Sequence, residues 1–374
     1  MCKALNTVKL IESSSSVSSL SADPIAIMKA LACMGIILHH FLNVLHTGQA
    51  NALQEQALRF LSEYAGSTVQ VFFVMSGYGL TYAFLNRDVT HWGSWMQRRF
   101  LKTVLPYWIV VTLTFAVAQF IPFYAEEAAR SGTSWVAYML FLRNFVPSSW
   151  PLNPSLWFMP VIIGLYLVFP LFIVVLVKHG AKILMLLSLF VTYVTLAAMN
   201  VLGFGTEHQN AVFPSFIAVF SIGILAAHWA VNSPDRFRLF ADHWALPIGI
   251  FCLLFSVVVA KMMPRGGSYN DVLTGTGNFA VFLFAARHLC SPRFQSLGGI
   301  LSRIGNQSYL IYLIHWPLLM LIVLPLYLYL AASRSNTFIL LAGWVLFVAS
   351  MFLLIKALLV PIEMGMNRLA ANRK

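Results

Sequence analysis

Charge is scarce in this 374-residue chain: only 10% of its residues are Asp, Glu, Lys or Arg, and acidic side chains number 12 against 24 basic ones. Cysteine is scarce as well. Of Cys2, Cys33, Cys252 and Cys290, Cys33 and Cys252 lie in apolar runs, which argues against a disulfide framework, and no CxxC metal spacing is present, so they read as structural thiols. No cleavable signal peptide is visible, because the first 24 residues hold the polar run ESSSSVSSLSAD and no apolar segment ahead of a cleavage site. A soluble domain is also missing. The longest stretch between apolar runs, about 34 residues from 122 to 155, is too short to fold alone.

Apolar residues fill the space so left. They make up 59% of the chain, with a mean hydropathy of +0.79, more than a soluble globular domain can hide. A polytopic membrane protein follows. The net charge of +12 and pI near 9.7 would suit nucleic acid, but retention of Lys and Arg on the cytoplasmic side explains them more simply.

A span needs about 20 mainly apolar residues. Candidates fall at 25–45, 67–86, 103–122, 156–177, 182–203, 212–231, 244–263, 273–290, 309–331 and 337–360. The expected fold is therefore an all-α bundle of about ten transmembrane helices with both termini cytoplasmic. In that orientation 17 Lys/Arg lie inside and 6 outside, with Lys29 left within the first helix, while acidic residues split 6 and 6. Residues 1–24 form a polar cytoplasmic tail, 25–360 the membrane domain and 361–374 a basic cytoplasmic tail. The apolar piece at 136–146 is too short to span and reads as interfacial or re-entrant.

Ionisable groups within spans are costly and usually face a polar cavity. The first span reads IMKALACMGIILHHF over residues 27–41, and it carries Lys29, His39 and His40. Lys29 and His40 are 11 residues apart, close to three whole turns, so they share a face at an offset of about 16 Å. Lys29 also allows a plainer reading, a side chain snorkelling to the headgroups. A histidine such as His40 suits proton transfer near neutral pH, although it can also serve only as a hydrogen-bonded packing group. His39 points about 100° away and reads as support.

Three further segments carry chemistry. VQVFFVMSGYGLTYAF at 69–84 places Ser76, Gly77 and Tyr78 in a span, where small residues permit close approach of a helix or a ligand. MQRRFLKTVLPYW at 96–108 sets Arg98, Arg99 and Lys102 at the inner edge, either as a topogenic cluster or as a phosphate-binding patch. RIGNQSYLIYLIHWPLL at 303–319 repeats the theme of the first helix, with Arg303 at the inner edge and His315 within the span.

Taken together these segments resemble the acyltransferase-3 family of integral membrane acyltransferases, which modify sugars of bacterial surface polysaccharides, lipid-linked saccharides and nodulation factors. The resemblance covers about residues 23–360 and rests on Lys29-x10-His40, FFVMSGY (72–78), RRFLKTVLPYW (98–108), SLWFMPVIIGLYLVFP (155–170) and SYLIYLIHWP (308–317). One departure stands out. Where many members carry acidic residues five and six positions after the Trp of the SLW motif, this chain has Ile162 and Ile163, followed by Gly164, although Tyr166 fits.

The resemblance implies a multi-pass enzyme of the bacterial cytoplasmic membrane that moves an acyl group, most simply acetyl, from cytosolic acyl-CoA to a sugar hydroxyl. Acetyl-CoA is then a co-substrate and no permanently bound cofactor or metal is expected. Lys29, Arg98, Arg99, Lys102 and Arg303 would hold the donor's phosphates. His40 would be the general base, assisted by Ser76, Tyr78 or His315. A transporter or flippase of a lipid-linked sugar is the competing reading, but the cations confined to one edge and the lack of an inverted repeat count against it.

Overall fold

The computed structural model describes residues 22–45, 52–86, 92–121, 124, 126–203, 212–262 and 268–333, with single positions at 345, 347, 349, 353 and 356. Every regular element among them is helical. The principal helices are α1 (Pro24–Leu45), α2 (Ala52–Gly66), α3 (Val69–Asn86), α4 (Trp92–Phe120), the short α5 (Gly132–Met139), α6 (Phe158–Val201) and α7 (Ile217–Asn232). α8 (Pro234–Leu239) runs through a π turn at Phe240–Trp244 into α9 (Ala245–Met262). α10 (Asp271–Leu289) and α11 (Gln295–Asn306) follow; α12 (Ser308–Leu318) then passes through a second π turn at Leu319–Val323 into α13 (Leu324–Ser333).

Among the described residues, seven helical stretches are long and apolar enough to cross a membrane: Pro24–Asn43, Gln56–Asn86, Gly93–Phe120, Pro154–Val201, Phe213–Asn232, Pro234–Met262 and Ser308–Leu326. The difference from ten has physical reasons. The expected spans 156–177 and 182–203 form one 44-residue run, α6, which at 1.5 Å per residue is about 66 Å long and too long for a single crossing. Gly180 divides it, because its φ of 83° and ψ of 172° break the helix at a conformation that only glycine adopts without strain. The expected span 273–290 is α10, whose Asp271 and Asn278 make it more polar than the seven. The expected span 337–360 lies almost entirely outside the described residues.

α1 begins where Pro24 presets the helical φ and Asp23 Oδ1 accepts the Ile25 N–H at 2.9 Å. Its neighbours are α2, α3, α10, α11 and α12, so the helix carrying Lys29 and the histidines stands inside the bundle. One of the closest joints is α3 against α7. A Cβ on Gly223 would stand 1.8 Å from the Val74 carbonyl oxygen, and one on Gly77 2.2 Å from that of Phe220. These are main-chain contacts that leave no room for a side chain. Outward, Leu167, Leu171, Leu186, Phe190, Phe251 and Leu254 are exposed, as expected of a surface that meets lipid.

Residues 126–157 fold into short 3-10 turns around α5 and lie over one end of the bundle. Buried phenols and indoles pin this cap. Tyr107 Oη donates to the Tyr138 carbonyl at 2.9 Å, Trp108 Nε1 to the Met139 carbonyl at 2.9 Å, and Tyr312 Oη to the Ser155 carbonyl.

Candidate active site

A cavity of about 650 Å³ opens beneath the cap. Ile36, His39 and His40 of α1 form one part of its wall, with Gln70 of α3, Asp271 of α10 and Tyr312 of α12 around it. Arg143, Asn144, Trp150, Ser155 and Trp157 of the cap close the end.

The two adjacent histidines of α1 differ in their bonding. His39 has both ring nitrogens engaged: Nδ1 meets the Ser62 carbonyl oxygen at 2.8 Å and must donate to it, while Nε2 accepts from Asn43 Nδ2 at 3.2 Å. Ser62 Oγ donates to Asn43 Oδ1 at 2.7 Å and closes the loop, tying α1 to α2. His39 is a structural link. The half-buried His40 makes no hydrogen bond with its ring among the described residues, and it faces the cavity.

His40 is surrounded by rings. The centroid of His315 lies at 5.1 Å, that of Trp316 at 5.2 Å and that of His39 at 4.9 Å. The fully buried His315 directs Nδ1 at the Tyr312 carbonyl oxygen, which can only accept, so the proton sits on Nδ1 and Nε2 offers a lone pair. That Nε2 and the indole Nε1 of Trp316 are both buried without a hydrogen-bond partner among the described residues. One imidazole lone pair and one N–H donor thus lie unused beside His40. Such groups are costly to bury unpaired.

The expected cations gather at the other end of the bundle. Arg99 and Asp23 act electrostatically on Lys29, and Arg99 also lies over the Trp95 ring at 5.8 Å. Arg98 and Lys102 are exposed on the same first turns of α4. Arg303 is exposed on α11, next to Ser302, whose Oγ accepts the Asp23 N–H at 2.8 Å. All five therefore share the end that carries Asp23.

Ser76 and Tyr78 do not join His40. α3 runs antiparallel to α1, and Thr68 Oγ1 donates to the Ala32 carbonyl at 3.0 Å. Ser76 is eight residues further down α3, about 12 Å, which brings it level with the start of α1 near Asp23. Tyr78 feels the charge of Asp23 and stacks on Tyr82 at 5.8 Å.

Trp316 beside His40, and Gln70, Asp271 and Arg143 at the cavity, did not stand out in the sequence. Trp316 follows His315 directly and signalled only as part of an apolar run. Gln70 donates from Nε2 to Asp271 Oδ1 at 2.6 Å across 201 residues of chain, a pairing that no local pattern announces. Arg143 resembles a topogenic loop cation, yet it is buried between the rings of Tyr138 at 5.5 Å and Trp150 at 5.9 Å. Burial pushes the Tyr138 phenol above its ordinary range while the Arg143 charge draws it back, so Tyr138 keeps its proton and donates. A signal for Arg143 existed in its flanking aromatics, but not in its spacing.

A cavity lined by His39 and His40 lies at one end of a bundle of apolar helices, with cations at the far end, and seven of those helical stretches are long and apolar enough to cross a membrane. A family model described as an acyltransferase domain matches residues 25–359. The chain belongs to this family, acyltransferase-3, and is a membrane acyltransferase. No curated protein and no solved structure matches the chain.

Proposed function

We propose that the protein transfers an acyl group, most simply acetyl, from cytosolic acyl-CoA to a hydroxyl of a saccharide held in the cavity beneath the cap. It does so as a ten-helix bundle of the bacterial cytoplasmic membrane, with both termini inside. The observation that carries this reading is the layout of α1, with Lys29 among the cations at one end and His40 in the cavity at the other. The offset of about 16 Å between them suits a donor bound by its phosphates and reaching with its pantetheine arm.

Arg98, Arg99, Lys102, Arg303 and Lys29 take the nucleotide phosphates by charge-assisted hydrogen bonds. Ser76 and Tyr78, at the Asp23 end of α1, border the arm. His40 removes the proton of the acceptor hydroxyl as its oxygen attacks the thioester carbonyl. The new C–O bond forms, the C–S bond breaks, and the proton passes from His40 to the departing thiolate. Trp316 Nε1 is the N–H best placed for the developing oxyanion, and His315 Nε2 shares the proton with His40. Positioned base catalysis supplies about 10² to 10⁴ in rate, and orientation and oxyanion stabilisation supply the rest.

The test is acetyl-CoA binding and slow hydrolysis by the purified protein. Wild-type protein is expected to do both, and Arg98→Gln with Arg99→Gln is expected to weaken binding about tenfold or more at low salt. A transporter of lipid-linked sugars would ignore acetyl-CoA, and that result would overturn the reading.

A further inference from the structure

We propose that the saccharide acceptor carries an anionic group, a carboxylate or a phosphate, and that Arg143 is the residue that binds it; the proposal rests on the acyl-transfer reading above. Arg143 is 4% exposed and lines the cavity. Its partners are all neutral. One guanidinium nitrogen donates to Asn144 Oδ1 at 3.0 Å, another stands 3.5 Å from the Trp150 carbonyl oxygen, and the rings of Tyr138 and Trp150 flank the group. Nε is buried without any partner, and among the described residues no carboxylate pairs with this cation. A charge buried among neutral groups is strongly unfavourable unless a counter-ion arrives from outside.

The backbone supports an imposed position. Phe141, two residues earlier, is held at φ 59°, a left-handed conformation unusual for an aromatic residue, and its ring stacks on Tyr107 at 5.0 Å. Asn144 is fixed in turn by donating Nδ2 to the Trp157 carbonyl at 2.9 Å. The cap thus spends strain and hydrogen bonds on presenting a guanidinium to the cavity.

The donor does not need Arg143. Its phosphates belong at the Lys29 end, and the thioester end of the arm bears no charge. The cavity walls suit a sugar instead, because Trp150, Trp157, Tyr64 and Phe60 offer flat apolar faces. Asp271, engaged by Gln70, and the exposed Glu63 supply acceptors for sugar hydroxyls on other elements. Arg143 supplies the planar fork that matches a carboxylate or phosphate.

The experiment uses the full-length protein in detergent with acetyl-CoA and three acceptors: a uronic-acid oligosaccharide, its carboxyl-reduced counterpart and a sugar phosphate. Wild-type protein is expected to show a KM at least tenfold lower for a charged acceptor than for the reduced one, and the preferred charged acceptor identifies the anion. Arg143→Gln is expected to raise that KM by about 10- to 100-fold, with the KM for the reduced acceptor changed by less than about threefold and kcat little altered. Arg143→Lys is expected to fall between, since it keeps the charge and loses the fork. Equal KM values for charged and neutral acceptors in the wild-type protein would overturn the proposal without any variant. A fall in kcat for all acceptors alike in Arg143→Gln would overturn it too, and would place Arg143 at the oxyanion. Transfer to none of the three, with no acetyl-CoA hydrolysis, would overturn the acyl-transfer reading itself.

Discussion

His39 and His40 are neighbours on one helix, and hydrogen bonding gives them different work. Ser62 and Asn43 occupy both nitrogens of His39, whereas the His40 ring is left to the cavity. His39→Ala is therefore expected to cost about 1 kcal/mol of stability, read as a lower thermal unfolding temperature in detergent, with acyl transfer kept within about tenfold of wild type. A loss of activity as deep as that of a His40 variant would show that His39 takes part in the chemistry. The helical spacing on α1 made this distinction legible in the sequence, since a rotation of about 100° per residue separates the two side chains. Arg143 and Trp316 were not legible in that way. Their role depends on what lacks a partner after folding, and a sequence does not record which groups remain unsatisfied. Ser76 and Tyr78 illustrate a second limit: their helix was recognisable, but their height relative to His40 followed only from how α3 packs on α1.

At the scale of elements, two joints position the site. The first is the crossing of α3 and α7, where Gly223 meets the Val74 carbonyl. Gly223→Ala is expected to destabilise the protein by about 1 to 3 kcal/mol or to prevent its accumulation, while Gly79→Ala, which meets nothing within 4 Å, is expected to be neutral. Equal unfolding temperatures for the two variants would contradict the packing account. The second joint is the seam between the cap and α12, where Tyr312 Oη donates to the Ser155 carbonyl. Tyr312→Phe leaves a buried carbonyl without this donor and loosens the wall next to His315, so it is expected to lower acyl transfer and cost about 1 kcal/mol. Activity at the wild-type level in that variant would show that the cap is held elsewhere. Hydropathy made the helices legible because lipid demands long apolar runs. The cap was legible only as a piece at 136–146 too short to span, since its shape depends on buried tyrosines that reach across distant segments.

The whole molecule is polarised. Five cations crowd one end and a cavity lined by His39 and His40 occupies the other, and the proposal that donor and acceptor arrive from opposite sides of the membrane rests on this layout. Cysteine substitution in a Cys-free background provides a direct check on this. A thiol at Arg98 is expected to react with an impermeant reagent only from the cytoplasmic side, and one at Glu63 only from outside. Labelling of both from one side would contradict the orientation. The single measurement that bears most directly on the central claim is acetyl transfer from radiolabelled acetyl-CoA to a saccharide acceptor by purified wild-type protein and by His40→Ala. The account predicts transfer by the wild type and a loss of at least about 10²-fold in the variant, with unchanged expression and unfolding temperature. Full transfer by a folded His40→Ala protein would contradict it.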